Sequence, residues 1–144
     1  MLRKWPPIIA KDRICTKPYT LRTATKEEKD IEFKVDDMIW IPTHAIHRCP
    51  ENYPNPEKFD PERFSDENKG NIKPYTYLPF GVGSRNCIGS RFALLEVKVL
   101  LFKILLNFEL IPTAKTIIPL KVAKGGLNHT AEGGFWFGLK RIQA

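Results

Sequence analysis

One cysteine of this sequence lies where the surrounding residues favour chemistry. Cys87 ends a loop that contains Gly81 and Gly83, and an apolar stretch suited to a helix begins at Ser90. Because glycine tolerates positive φ, the loop can turn tightly and deliver the cysteine to the helix start. Unpaired N–H groups of a first helical turn stabilise an anion, which for cysteine is the thiolate. With Phe80 behind the loop to shield the sulfur from water, Cys87 is predicted to be a soft metal ligand or a nucleophile.

The two chemical roles make different demands on the rest of the chain. A nucleophilic cysteine needs a nearby base, and no histidine lies in the sequence between His47 and His129. A metal ligand needs no such base. A third interpretation requires no chemistry at all, with Cys87 a small core residue after a glycine turn.

Five residues of the loop stand at fixed spacing. They form the pattern Phe80-x-x-Gly83-x-Arg85-x-Cys87-x-Gly89. Every fixed position of the haem-binding loop of the cytochrome P450 family is matched, so the chain resembles that family. Five residue types at set offsets are far more specific than a lone glycine motif. The resemblance implies that Cys87, as thiolate, is the proximal ligand of the iron in haem b.

The same resemblance assigns further roles. It implies that Arg85 and Arg13 neutralise the haem propionates. It also implies that the loop residues Phe80, Gly81, Ile88 and Gly89 line the cofactor. The residues expected to face substrate are Ile8, Ile9, Gly125, Gly126 and Leu127. The residues that activate oxygen are expected upstream of this chain, so no catalytic residue is assigned within it.

Two arginines are expected to be structural. Leu2-Arg3-Lys4-Trp5 reads as the last turn of a helix stopped by Pro6-Pro7. Arg3 resembles the arginine of the family's Glu-x-x-Arg helix, whose glutamate would fall one residue before Met1. Arg63 in Pro61-Glu62-Arg63-Phe64 resembles the arginine that joins this pair. Without the glutamate, Arg3 and Arg63 are expected to face each other unneutralised, which is destabilising.

Composition narrows the class of partner. The 144 residues carry 23 basic and 16 acidic side chains, a net charge of +7. The excess favours an acidic partner or an anionic surface. The basic residues are scattered, without an interleaved aromatic platform, so nucleic acid is disfavoured. Three widely spaced cysteines do not make a disulfide framework.

The resemblance implies a mainly α fold with a small β-region, α+β within this fragment, as the C-terminal part of the cytochrome P450 fold. A helix is predicted over 90–108, apolar almost all round as in a core; Glu96, Lys98 and Lys103 argue against a membrane span. Strict alternation predicts a strand over 31–35. Asp36-Asp37 is predicted to turn it into a second strand, 38–41, as a hairpin. A C-terminal hairpin is predicted from strands over 117–122 and 134–140.

The segment with His44, His47 and Cys49 suggests a metal site by spacing alone. A zinc site of four protein ligands would need a second cluster, and the neighbouring sequence offers none. A short helix with surface histidines and no chemical role is therefore predicted.

Taken over residues 3–140, the resemblance is to the C-terminal third of a eukaryotic microsomal cytochrome P450, with insects among the candidate sources. It implies that residues 1–144 are the C-terminal portion of a single domain. The expected function is that of a haem-thiolate monooxygenase, which inserts one oxygen atom from O2 into an apolar small molecule. NADPH–cytochrome P450 reductase is the expected electron donor. The parent protein is expected at the cytoplasmic face of the endoplasmic reticulum membrane, anchored by a segment not in this chain. The alternative is a truncated, non-catalytic haem-binding or interaction fragment.

Overall fold

A computed structural model of the chain describes residues 1–25, 28–126 and 128–142. The chain forms two compact units, Met1–Pro79 and Phe80–Ala144. The described residues form two α-helices and six short strands, so helix and strand are present in similar measure. This mixed content agrees with the α+β content predicted for this fragment, and every helix other than α2 is a turn or two long.

The first unit contains β1 (Lys11–Ile14), β2 (Tyr19–Leu21), β3 (Ile31–Phe33), β4 (Met38–Ile41) and α1 (Thr43–Arg48). Short 3₁₀ helices follow at Pro61–Phe64 and Lys69–Asn71. The second unit contains a 3₁₀ turn at Gly83–Arg85, then α2 (Ser90–Asn107), β5 (Phe108–Ile111) and β6 (Gly138–Arg141).

The strands of the first unit form one antiparallel ribbon with an interruption. β1 pairs with β4, Lys11 facing Ile41, and β2 pairs with β3, Tyr19 facing Phe33. In both pairs the residue numbers of two facing residues add up to the same value, so one register continues from the first pair through the second. Between the pairs, Cys15 donates its N–H to the carbonyl of Asp37, 2.9 Å away, which continues the ladder.

The predicted hairpin between strands 31–35 and 38–41 is therefore wrong. Asp36 does adopt a turn conformation, with φ 72°, and the N–H of Lys34 bonds to Oδ2 of Asp37 at 2.7 Å. The turn closes within residues 34–37, while Asp36 and Asp37 also bond to Cys15 on the other arm. It is therefore a kink within one arm, and β3 and β4 both pair with the preceding arm instead of with each other.

The core of the first unit is small and partly polar. Its buried residues include Pro6, Tyr53 and Leu78, together with the polar side chains of Arg3, Thr43 and His47. The prediction of surface histidines is thus wrong for His47, which has no exposed area. The short helix predicted around it is confirmed as α1.

The second unit is built on α2 and the β5–β6 pair. β5 follows α2 without a connecting loop, because the strand begins at Phe108, the residue after the helix ends. Ile111 faces Gly138 at the far end of the β5–β6 pair. The predicted C-terminal hairpin is wrong in its pairing, because β6 pairs with β5. Residues 121–123 pair with residues 130–132, where Val122 faces Ala131 in an isolated bridge. β5 was not predicted, and the helix predicted over 90–108 ends one residue earlier, at Asn107.

Candidate functional site

The loop before α2 is closed by its own cysteine. The N–H of Cys87 donates to the carbonyl oxygen of Phe80, with 2.8 Å between nitrogen and oxygen. Inside this loop the N–H of Asn86 bonds to the carbonyl of Gly83 at 3.1 Å, which forms the 3₁₀ turn. Hydrogen bonds within the loop thus set the backbone position of Cys87, from which the thiol projects.

Glycines at two positions permit this closure. Gly81 has φ 75° and Gly83 has φ 80°, in the left-handed region that side-chain-bearing residues rarely adopt. A Cβ added at Gly83 would meet no atom within 4 Å, so the requirement there is conformational and not one of space. The predicted positive φ at both glycines is confirmed.

The helix that follows begins close to the cysteine. α2 starts at Ser90, and its N-cap, Gly89, makes no side-chain capping bond. The first intrahelical bond runs from the N–H of Ala93 to the carbonyl of Gly89 at 2.9 Å. The amides of the first turn therefore keep their donors for an acceptor near the loop, and the positive end of the helix lies next to residues 87–89.

Side chains of the loop point outward from the unit. The Cys87 residue is exposed and Ile88 is fully so, while Phe80 and Gly81 are half-buried. The shielding of the sulfur from water by Phe80 stays a prediction, and the Cys87 residue is exposed although its N–H bonds to Phe80. Arg85 is exposed as well, at the end of the 3₁₀ turn.

The donor set can be compared with what haem requires. Within residues 1–25, 28–126 and 128–142, no three histidine, cysteine, aspartate or glutamate residues gather as a metal cluster. All three cysteines are free thiols. A closed zinc site takes four protein ligands, whereas haem iron takes a single cysteine in thiolate-ligated haem proteins. One exposed cysteine on a loop closed by a backbone hydrogen bond, with no atom within 4 Å of a Cβ placed at Gly89, leaves room for a planar group such as haem.

The other residues predicted at the site lie on separate elements. Arg13 is on β1 of the first unit, where Nη1 donates to the carbonyl of Asp12 at 2.7 Å. Ile8 is exposed and Ile9 is half-buried just before β1, with the carbonyl of Ile9 accepting from the N–H of His44 at 2.8 Å. These residues belong to a different unit from the cysteine loop.

The glycine tip predicted to face substrate lies in the second unit. Gly125 and Gly126 have φ 88° and 83°, and the N–H of Ala123 bonds to the carbonyl of Thr130 across the hairpin at 2.9 Å. Leu127 lies outside the described residues. The positive φ of Gly125 and Gly126 is what the predicted turn requires at these two positions, and the role of the glycines towards substrate stays a prediction.

The two structural arginines are held by carbonyl oxygens. Arg3 is buried and donates to the carbonyls of His47 at 2.8 Å and Pro56 at 2.7 Å. Arg63 donates to the carbonyl of Pro54 at 2.5 Å, and its Nε lies 3.9 Å from the Asp60 carboxylate. Burial lowers the pKa of Arg3, and the charge of Arg63 lowers it further. The predicted repulsion is thus present, but the prediction that both charges are unneutralised is wrong for Arg63.

Sequence reasoning missed a set of residues around Leu78. His47 Nε2 accepts the N–H of Leu78 at 2.7 Å, and Lys11 Nζ donates to the carbonyl of Leu78 at 2.9 Å. The sequence signal for His47 was weak, because a histidine three residues after another on a short helix is usually exposed. The partner, Leu78, is 31 residues further along the chain.

Comparison with known proteins decides the family. A sequence model of the family described as Cytochrome P450 matches residues 1–135 of the chain. The chain belongs to the cytochrome P450 family.

Individual P450 relatives agree over nearly the whole chain. Cytochrome P450 9e2 of Blattella germanica is 56% identical over 96% of the chain, and probable cytochrome P450 9f2 of Drosophila melanogaster is 50% identical over the same share. Cytochrome P450 3A1 of Rattus norvegicus is 46% identical over 88% of the chain. The chain spans about a quarter of the length of these curated relatives.

None of the helices in the described part of the chain has the length and hydropathy of a membrane span.

Proposed function

We propose that this chain is the C-terminal portion of a single cytochrome P450 domain and that Cys87 is the proximal ligand of haem b. The observation that carries the proposal is the loop closed by the Cys87 N–H on the Phe80 carbonyl, which leaves the thiol exposed. Membership in the P450 family supports the cofactor. The positive end of α2 beside the loop supports the thiolate form.

Bound haem supplies the oxygen chemistry, and a cysteine thiolate ligand pushes electron density that favours O–O cleavage. The contribution of the chain is ligation and electrostatics. The closed loop would present the sulfur to the iron, and the amide groups of Ile88 and Gly89 would temper the charge of the thiolate. Arg85 and Arg13 would neutralise the propionates by charge-assisted hydrogen bonds. Phe80 and Gly81 would line the bound haem.

The parent protein is proposed to insert one oxygen atom from O2 into an apolar small molecule. Ile8 and Ile9 are apolar and reachable by solvent in the first unit, which suits contact with such a substrate. Gly125, Gly126 and Leu127 are proposed to contribute the second substrate-facing segment. NADPH–cytochrome P450 reductase supplies the electrons, and the parent protein resides at the cytoplasmic face of the endoplasmic reticulum membrane.

A second candidate is favoured by one observation. None of the residues of α2 is buried, although the helix is largely apolar, with Leu95 61% and Phe102 63% exposed. Large exposed apolar surfaces are usually covered in a working protein. The 144-residue chain by itself is then a non-catalytic haem-binding or interaction fragment, and oxygen insertion belongs to a longer chain that covers α2.

The experiment compares two lengths of protein. The first is the 144-residue chain, and the second is the chain extended to the full length of a P450 relative, hereafter the full-length protein. Each is mixed with haem, reductase, NADPH and a panel of apolar compounds under ¹⁸O₂, and products are analysed by mass spectrometry. We expect one labelled oxygen atom per product molecule from the full-length protein and none from the short chain. Labelled product from the short chain that is lost in Cys87→Ala would contradict the fragment proposal.

A further inference from the structure

Both peptide groups of Leu78 are held by side chains that are distant in sequence. Its N–H donates to Nε2 of His47 at 2.7 Å, and its carbonyl accepts from Nζ of Lys11 at 2.9 Å. Lys11 lies on β1 and His47 on α1, so two separate elements hold one residue. Leu78 itself is buried. These two hydrogen bonds restrain the chain at one point.

His47 is fixed in turn by its other ring nitrogen. Nδ1 lies 3.1 Å from the carbonyl oxygen of Arg3, and the ring stacks on Tyr77 with centroids 5.6 Å apart. Because Nε2 accepts the N–H of Leu78, the proton of a neutral imidazole must be on Nδ1, where it donates to Arg3. The arrangement therefore works only with a neutral histidine.

The restrained point stands directly before the cysteine loop in sequence. Leu78 is separated from Phe80, whose carbonyl closes the loop, only by Pro79. Proline fixes its own φ, so little freedom is left between the restrained residue and the start of the loop. A restraint on Leu78 limits how far the N-terminal end of the loop can move.

We propose that His47 and Lys11 are positioning residues that hold Leu78 and thereby keep the cysteine loop in its ligating conformation, and that protonation of His47 releases this hold. The inference rests on the proposed function of Cys87. It concerns residues that touch neither the iron ligand nor the loop itself.

The surroundings of His47 oppose its protonation. The charged and titratable groups that face it are Arg3 from the N-terminal turn, Lys11 from β1, His44 from α1 and Tyr77 from the segment before the loop. Burial, assisted by these positive charges, lowers the pKa of His47 to about 4, although its bond to the Arg3 carbonyl acts in the opposite direction. A second ring proton would sit on Nε2 and point at the N–H of Leu78, which would replace an acceptor by a donor.

The test uses the haem-loaded full-length protein, four substitutions at His47 and Lys11, and one control substitution. His47→Gln keeps an acceptor near the Nε2 position but does not titrate, and His47→Phe keeps the volume but removes the acceptor. Lys11→Met removes the donor to the Leu78 carbonyl, and Lys11→Arg restores one. His129→Gln, in the second unit, is the control for loss of a histidine. The measurement is the rate at which the thiolate-type CO band of the reduced protein is lost, from pH 7.5 to pH 4.5.

We expect His47→Phe and Lys11→Met to lose the band about tenfold faster at pH 7.5, in line with an unpaired buried polar group. His47→Gln and Lys11→Arg should stay within about threefold of the parent protein. Acid should accelerate the loss in the parent and in His129→Gln but much less in His47→Gln. If His47→Phe does not fold, the pH profile of His47→Gln alone decides the test. The proposal is overturned if His47→Gln has the same pH profile of band loss as the parent protein. It is also overturned if a folded His47→Phe loses the band at the same rate as the parent at pH 7.5.

A readout without haem separates this proposal from the function of Cys87. Hydrogen exchange of the Leu78 amide in the haem-free protein should quicken about tenfold or more in His47→Phe and not in His129→Gln. If the parent protein shows no thiolate-type band while the exchange result holds, the proposed function fails and the hold on Leu78 stands. Unchanged exchange in a folded His47→Phe overturns the hold whatever the spectrum shows.

Discussion

Arg3 and His47 bind each other through side chain and backbone in both directions. Nη1 of Arg3 donates to the carbonyl of His47 at 2.8 Å, and Nδ1 of His47 bonds the carbonyl of Arg3 at 3.1 Å. Both residues are buried. Residues 44 positions apart are thereby joined by two hydrogen bonds, so the N-terminal turn is attached to α1 by polar contacts as well as by packing.

Loss of the Arg3 side chain is expected to destabilise the first unit. Arg3→Met would leave the carbonyls of His47 and Pro56 without this donor and would remove the guanidinium stacked 5.1 Å from the Tyr53 ring. We expect the free energy of unfolding to fall by about 3 kcal/mol. The control is Arg22→Met at an exposed position, which should change it by less than about 0.5 kcal/mol. Equal effects of the two substitutions in denaturant titrations would contradict this account.

Stability should depend on pH through His47. Its pKa is about 4 in the folded chain, against an ordinary value of 6.5. Between pH 4 and pH 6.5 the unfolded chain therefore binds more protons than the folded chain. The free energy of unfolding rises with pH over this range, and the contribution of His47 to it is fully present above pH 6.5. The contribution is about 3 kcal/mol over the window.

Urea titrations of the parent and of His47→Gln at several pH values measure this contribution by difference. Carboxylates titrate in both proteins and cancel. The difference between the two should shrink as the pH falls from 6.5 to 4. A difference that stays constant across that range would show that His47 does not titrate with folding.

Replacement of Gly83 in the cysteine loop is expected to introduce backbone strain. Gly83→Ala places a side chain at φ 80° in open space, so the expected cost is about 1–2 kcal/mol of strain with no clash. Gly70→Ala is the matched control, since its Cβ also meets nothing within 4 Å and its φ is not positive. Thermal melts should separate the two. A Gly70→Ala variant as unstable as Gly83→Ala would mean that the φ requirement is not the cause.

Electron transfer should depend on basic residues of α2. Arg91 and Lys98 are exposed and seven residues apart, which places them on the same face of the helix. We expect reduction by reductase to slow as ionic strength rises, because screening weakens attraction to an acidic partner. Lys98→Glu should slow reduction at low salt, whereas Lys121→Glu outside the helix should not. Rates indifferent to salt and to Lys98→Glu would count against this surface.

The local elements of the fold follow closely from the sequence. The extent of α2, the α1 helix and the positive φ of Gly81 and Gly83 were all predictable, because each depends on residues within one stretch. The turn at Asp36 was predictable too. It was not predictable that this turn lies within one arm of the ribbon instead of joining two paired strands. That place depends on Cys15, whose backbone pairs with Asp36 and Asp37 from outside the stretch.

Partners that are distant in sequence account for the rest. Nothing local indicates that His47 is buried, because its burial results from contacts with Arg3, Tyr77 and Leu78. The pairing of β5 with β6 was missed for the same reason, since β6 lies about thirty residues beyond β5. The closure of the loop that presents Cys87 is different, because it involves only residues 80–87 and so depends on one short stretch.

The most direct test of the central claim is the reduced CO spectrum of the full-length protein with each cysteine replaced in turn. Cys87 is exposed on its closed loop, while Cys15 and Cys49 are half-buried in the first unit, with the Cys15 thiol 2.9 Å from the Lys17 carbonyl. We predict that Cys87→Ser abolishes the thiolate-type CO band and that Cys15→Ser and Cys49→Ser retain it. A thiolate-type band that survives in Cys87→Ser would show that Cys87 is not the iron ligand.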